Sequence, residues 1–380
     1  MWSSQRYLSE GKKNGAAQLV IDNAISQIEL VLDQNNNIPA ILSLKHFSLR
    51  SHVGYKFLRS VVEREEEDDK QGVQVYRYFN IRKKSGGTRT ISIPHPQLLI
   101  AQKWLATNVL SKLSASNYSF AFSPGSNIVA CAKKHVEANW LVKMDVKDFF
   151  GSISEIDVYR QFRKLKYQPL VAFELSRIVT WPKSPRVDSP RWELDSVRSS
   201  IGSYIHTEIG CLPQGAPTSP MLSNLVANAL DEELSRVANK FGVRYTRYCD
   251  DLTFSTRRKS FDRNQAKALI EAATMTMLPL GFSPNEKKTV VIPPGARKQV
   301  LGLNVDGPVP TLSKEFKSKI RQHLFFLTKN GPAAHAADRE FDTIWGLKRH
   351  LYGLADYAFM VEPEYGKHVK SALSSINWPV

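Results

Sequence analysis

Between residues 16 and 58 apolar positions recur at helical spacing, with Ile21, Ile25 and Ile28 on one face before a polar stretch at Asn35, Asn36 and Asn37. This predicts a helical N-terminal extension. From 73 to 93 the pattern changes to alternation. Val73, Val75 and Phe79, interrupted by Arg77, lead into a turn of Lys83, Lys84, Ser85, Gly86, Gly87 and Thr88 before Arg89. That is a basic β-hairpin. A helix is predicted over 94–113 and a buried strand over 141–146, ending in Asp145, Val146, Lys147, Asp148, Phe149 and Phe150. A further helix is predicted over 219–239, with Thr218 or Ser219 as N-cap and Pro220 at its first position. Residues 244–255 read as two short strands around Tyr248, Cys249, Asp250 and Asp251.

Beyond Gly281 the pattern predicts a short strand pair carrying Lys287, Lys288 and Thr289, then a strand over 299–305. From 313 onward it is mainly helical and basic, with Lys314, Lys317, Lys319, Arg321, Lys348 and Arg349. The acidic run over 63–70 reads as a solvated loop or helix face. No internal repeat or low-complexity tract interrupts this order, which is that of an α+β protein.

Composition adds a partner. The chain of 380 residues carries 52 Lys and Arg against 36 Asp and Glu, a formal charge of +16. An excess of that size favours a polyanion, because cations that neutralise phosphates release condensed counterions. The cysteines Cys131, Cys211 and Cys249 form no CxxC pair, which argues against a zinc site or a disulfide framework. With no apolar signal core and no apolar run of spanning length, a cytoplasmic protein without a membrane segment is expected.

Adjacent carboxylates at the tip of an apolar hairpin repel and raise one another's pKa, a cost that a divalent cation removes. Asp250 and Asp251 form such a pair, and Asp145 ends another strand. Hard carboxylate oxygens suit Mg²⁺, and two ions held here would activate a 3′-hydroxyl and stabilise a leaving pyrophosphate.

Three segments together carry a resemblance. Asp145 to Phe150 with Gly151, Ser152 and Ile153; Leu212, Pro213, Gln214, Gly215, Ala216, Pro217, Thr218, Ser219 and Pro220; and Tyr248, Cys249, Asp250 and Asp251 resemble successive reverse-transcriptase signatures, in that family's order. The resemblance implies a right-hand polymerase fold: an N-terminal helical extension over 1–72, fingers over 73–140, a palm over 141–305 with an insert around 165–210, and a helical, RNA-binding thumb over 306–380. It makes Asp145 and Asp250 the principal ligands of two Mg²⁺ ions, with Asp251 in support and Val146 among the metal and nucleotide contacts. Phe150 matches the steric gate against a 2′-hydroxyl, while Phe149 reads as a core aromatic. Gln214 and Gly215 match the loop beside the incoming nucleotide and template. Arg89 and Lys84 match the positions that hold triphosphate oxygens, suited to a bidentate guanidinium and a mobile ammonium. Lys288 matches a lysine near the pyrophosphate, with Lys287 its rival.

Within the family the chain resembles retron reverse transcriptases. Val300, Leu301 and Gly302 stand where those enzymes carry Val-Thr-Gly, and Cys131, Ala132, Lys133, Lys134 and His135 echo their Asn-Ala-x-x-His. That lineage implies a cognate structured non-coding RNA serving as template and primer, a branched RNA-linked DNA product, deoxynucleoside triphosphate substrates, an effector protein and anti-phage defence. Lys314, Lys317, Lys319 and Arg321 would then grip RNA phosphates and 2′-hydroxyls. A group II intron-like or other defence-associated enzyme, and a catalytically idle RNA-binding scaffold that controls an effector, are the alternatives. After 305 few residues remain for the first of these to hold DNA-binding and endonuclease modules.

Overall fold

A computed structural model describes residues 3–64, 74–82, 86, 88–182 and 209–379. Four helices open the chain: α1 (Ser4–Lys13), α2 (Gln18–Gln34), α3 (Leu44–Ser51) and α4 (Tyr55–Glu63). Side chains of Ser3 and Ser43 cap α1 and α3 by accepting from Arg6 N–H and His46 N–H. The expected hairpin follows as β1 (Tyr76–Arg82) and β2 (Thr88–Pro94), antiparallel with Ile81 opposite Arg89. Lys83, Lys84, Ser85 and Gly87 of its turn, residues 65–70 of the acidic run and residues 183–208 of the insert lie outside the described residues.

Next come α5 (Pro96–Asn108), a 3-10 turn at Leu110–Lys112, α6 (Ile128–Lys133), β3 (Trp140–Asp145), α7 (Glu155–Lys164) and α8 (Pro169–Val179). The helix expected over 219–239 is two, α9 (Ser219–Val226) and α10 (Asn228–Phe241), meeting at Ala227. At that break the Asn228 carboxamide accepts from Ser116 N–H in a neighbouring loop. β4 (Arg244–Tyr248) and β5 (Asp251–Thr256) form the second hairpin, followed by α11 (Arg263–Met277).

A larger correction concerns residues 287–289. They are not a strand pair: Glu286–Lys288 is a 3-10 turn, and a strand, β6 (Val290–Ile292), begins after it. The cause is tertiary, since Asn285 commits both its backbone N–H and its carboxamide to Asp145, bending the chain at that point. The strand expected over 299–305 likewise folds back as β7 (Gln299–Val300) and β8 (Leu303–Asn304). Its turn places Leu301 and Gly302 at φ 51° and 81°. Two left-handed residues suit a two-residue hairpin, with Val300 opposite Leu303. After β9 (Thr311–Leu312) come α12 (Lys314–Asp338), broken at Gly331 and Pro332, then α13 (Ile344–Val361) and α14 (Pro363–Ser374).

The central sheet is antiparallel, in the order β4-β5-β3-β6. Successive side chains of β3 serve different cores, as the two-residue period of a strand requires. Trp140, Val142 and Met144 join one core with β4, β5 and helices α3 to α5 and α7 to α11. Leu141 joins another, built by α6, β7 to β9 and the C-terminal helices. The sheet is therefore covered on both faces, which explains the nearly unbroken burial of β3 and β5. Together the elements form an α+β architecture. Among the described residues, no helix is long and apolar enough to cross a membrane.

Candidate active site

The register of the sheet assembles the acidic cluster. Asp145, last in β3, lies directly opposite Asp251, first in β5, and Asp251 also closes the hairpin against Tyr248. Asp250 occupies the turn between them, and its carbonyl accepts from Val146 N–H at 2.9 Å. Cys249 holds the sharp bend at φ 58°, in the left-handed region that disfavours a side chain with a Cβ. Three carboxylates from two distant parts of the chain thus meet at one edge.

Asp145 is buried, and each of its oxygens is engaged: Asn285 Nδ2 donates to Oδ1 at 3.0 Å and Lys288 Nζ to Oδ2 at 2.6 Å. The hydrogen bond to Asp145 is the main cause that raises the Lys288 pKa. Asp251 is pushed up to about 6, first by burial and then by the neighbouring Asp250, with Asp145 adding repulsion. Lys143 and Lys288 oppose that rise.

Among the described residues no ready-made cage of three or more His, Cys, Asp or Glu side chains is closed around a point. The residues nevertheless fit Mg²⁺, which takes hard oxygens, keeps much of its water and commonly uses one or two carboxylates together with substrate phosphates. The crowding that raises Asp251, and the ammonium drawn onto Asp145, are what an acid cluster shows where a cation would relieve it.

Two further sequence segments carry candidate site residues. Phe149 is buried and packs on Phe282 with ring centroids 5.8 Å apart, while Phe150 is half-buried, 6.3 Å from the ring of Phe122. Phe149 thus belongs to the core, and Phe150 is the more accessible of the two rings. The turn at 212–217 is stitched to both neighbours: Leu212 N–H donates to Ile153 O, and Gln214 O accepts from Ser92 N–H at 2.8 Å. Gly215 has φ 128°, and a Cβ there would sit 2.6 Å from Ser92 O, so only glycine permits this approach. Arg89, exposed on β2, is thereby carried on the strand that the Gln214–Gly215 turn grips.

The basic residues of α12 divide. Lys317 is committed to the fold, with its ammonium 2.6 Å from Glu362 Oε2 and 5.1 Å from the Tyr365 ring centroid. Lys314, Lys319 and Arg321 are exposed and line an open cleft with Ser318 and Gln322.

Sequence reading missed the charged support of the site. Arg247, fully buried, bonds Asp231 through Nε and Nη2, Asn224 Oδ1 through Nη1, and Cys249 O at 3.2 Å. Its signal was present in a run where alternation would place an apolar residue inward and an arginine stands instead. Asn285, which orients Asp145, was the other omission.

The reverse transcriptase (RNA-dependent DNA polymerase) family profile matches residues 81–305, which includes β2, the glycine turn and the acidic cluster. Among curated relatives, the retron Mx162 reverse transcriptase of Myxococcus xanthus is 31% identical over 314 residues, 79% of this chain and 61% of that protein. The retron Ec86 reverse transcriptase of Escherichia coli is 29% identical, over 77% of this chain and 83% of its own length. The retron Ec73 reverse transcriptase, also of Escherichia coli, is 34% identical over 66% of this chain and 75% of its own length. The chain thus spans about three fifths of the Mx162 enzyme and larger shares of the other two. With its sheet and hairpin geometry lying inside the matched region, the chain belongs to the reverse transcriptase (RNA-dependent DNA polymerase) family and is of the retron type.

Proposed function

We propose that this chain is the RNA-directed DNA polymerase of a retron, copying a cognate structured non-coding RNA that also supplies the primer. Its product is multicopy single-stranded DNA joined to RNA, and its setting is anti-phage defence with an effector protein in the cytoplasm. The observation that carries the reading is the pairing of Asp145 with Asp251 across β3 and β5, with Asp250 in the adjoining turn.

In this reading residues 1–72 are an N-terminal extension, 73–140 the fingers, 141–305 the palm and 306–380 the thumb. Asp145, Asp250 and Val146 would hold two Mg²⁺ ions, with Asp251 in support. When bound, the two ions lower the pKa of the primer 3′-hydroxyl and stabilise charge on the leaving pyrophosphate. Arg89 and Lys84 hold the triphosphate so that the α-phosphorus faces the attacking oxygen. Phe150 lies beneath the sugar and excludes a 2′-hydroxyl, and Gln214 and Gly215 flank the nascent pair. Lys288 gives a proton or positive charge to the pyrophosphate as the bond to the α-phosphorus breaks. Lys314, Lys319 and Arg321 contact RNA phosphates, while Lys317 acts through the placement of α12.

The test is to purify the protein from its native-locus host, extract bound nucleic acid, and size it after separate RNase and DNase treatment. A short DNA that remains linked to RNA until debranched is expected. DNA synthesis that appears only on an added primer and template points to another lineage of reverse transcriptase. No synthesis on any substrate overturns the polymerase reading.

A further inference from the structure

The far end of the central sheet carries a feature that the polymerase chemistry does not use. β4 begins at Arg244 and β5 ends at Thr256, so this edge lies at the opposite end of the hairpin from Asp250. At a rise of about 3.3 Å per residue, the two ends are roughly 15 Å apart. Here Arg244, Arg257 and Arg258, with Val136, Gly242 and Ser255, line a cavity of about 200 Å³.

The three guanidinium groups are exposed, yet each is tethered by a backbone carbonyl. Arg244 donates to Lys134 O at 3.1 Å, Arg257 to Val136 O at 3.1 Å, and Arg258 to Phe241 O at 3.3 Å. A guanidinium has five N–H donors, so one bond to a carbonyl orients the group and leaves donors for a ligand. Glu137 pairs with Arg257 at 2.8 Å, an exposed contact of the kind that contributes little to stability. Exposed Lys133, Lys134, Lys240 and Lys259 surround the same edge.

The retron-like segment at 131–135 builds this corner. His135 is buried, with its ring nitrogens 2.7 Å from Ser255 Oγ and from Thr246 Oγ1, one on each strand of the hairpin. It joins the middle of β4 to the end of β5 and so fixes the backbone that carries Lys133, Lys134, Arg244 and Arg257.

We propose that this edge is a second nucleic-acid site, at which Arg244, Arg257 and Arg258 hold consecutive phosphates of an RNA strand away from the catalytic end. The inference rests on the reading of the chain as an RNA-binding polymerase. Planar donors gathered around one open cavity match the regularly spaced phosphates of an RNA strand better than they match an acidic peptide, whose carboxylates are flexibly spaced.

The experiment uses the full chain and its Arg244→Gln/Arg257→Gln/Arg258→Gln variant, both checked for an unchanged unfolding midpoint. The probes are a labelled 30-nucleotide RNA stem-loop for binding across a salt series, a short primer–template duplex for extension, and an oligoglutamate peptide as competitor. For the variant, the slope of log K against log salt is expected to shrink by about 2, with about tenfold weaker binding at moderate salt and unchanged extension of the short duplex. An unchanged slope overturns the site. Lost extension with unchanged RNA binding assigns these arginines to the support of the sheet and also overturns it. Selective loss of peptide binding, with RNA binding unchanged, makes the partner an acidic protein. Wild-type failure to extend any substrate is a separate result, which sinks the polymerase reading and leaves the salt slope readable.

Discussion

The guanidinium of Arg247 and the carboxylate of Asp231 form a two-pronged ion pair, with both N···O distances 2.7 Å and both side chains fully buried. Arg247 also reaches the carbonyl of Cys249 and lies 5.7 Å from the centre of the Phe149 ring. Tyr245 OH donates to Asp231 Oδ1 as well, at 2.9 Å. One pair therefore ties α10 to the turn that carries Asp250 and to the aromatic step before Phe150.

Removing one member of such a pair leaves an uncompensated buried charge. Asp231→Ala is expected to lower stability by about 3–5 kcal/mol, whereas Asp231→Leu with Arg247→Met costs less than the single change. Urea unfolding of the two variants decides the point. A larger loss in the double variant than in Asp231→Ala would mean that the two charges act independently.

Asp250→Asn keeps the size of the side chain and removes its charge. Primer extension is expected to fall by on the order of 1000-fold, with RNA affinity unchanged within a factor of two. Parallel gel-shift and extension assays separate the outcomes. A matching loss of RNA affinity would make Asp250 structural.

Phe150→Ala opens space beside Phe122 and leaves Phe149 in the core. The ratio of kcat/KM for a ribonucleotide over a deoxynucleotide is expected to rise by on the order of tenfold or more. An unchanged ratio removes the gate role.

Lys288 Nζ lies 2.6 Å from Asp145 Oδ2, and its neighbour Lys287 is exposed on the same turn. Lys288→Gln is expected to lower kcat by about 100-fold with little change in KM, and Lys287→Gln to leave both near wild type. Steady-state extension on one template tests both, and an equal effect of the two would deny Lys288 a special place.

What was legible in the sequence was local. Tyr248 to Asp251 announces a hairpin because its flanks alternate, and Gly215 sits in a segment whose residue order already demands a tight turn. The supporting charges join positions that no local pattern relates. Glu155, fully buried, is bound by Arg64, by Arg177 and by Gly210 N–H, and the Arg64 contact spans 91 positions. Periodicity also misread 287–289, because the bend there is imposed by Asn285 bonding to Asp145, 140 positions away. Propensity speaks for neighbours in sequence, and these contacts belong to the assembled fold.

His135 supplies a pH prediction. Burial, with the Arg244 charge adding to it, lowers its pKa from 6.5 to about 3, so the folded protein keeps the ring neutral between Ser255 and Thr246. In the unfolded chain the ring takes up a proton below about 6.5. The unfolded state then binds more protons, and the contribution of His135 is present in full above 6.5 and lost as pH falls towards 3. Between pH 7.5 and 5.0 the wild type is expected to lose about 2 kcal/mol through this residue, since each pKa unit is worth about 1.4 kcal/mol. His323 and His335 are also lowered by burial and act with the same sign, so the measurement is a comparison with His135→Gln. Denaturant titrations of both proteins at the two pH values should show a shallower pH dependence in the variant. Parallel curves would mean that the ring between Ser255 and Thr246 is not held neutral, and that another group carries the acid sensitivity of the sheet.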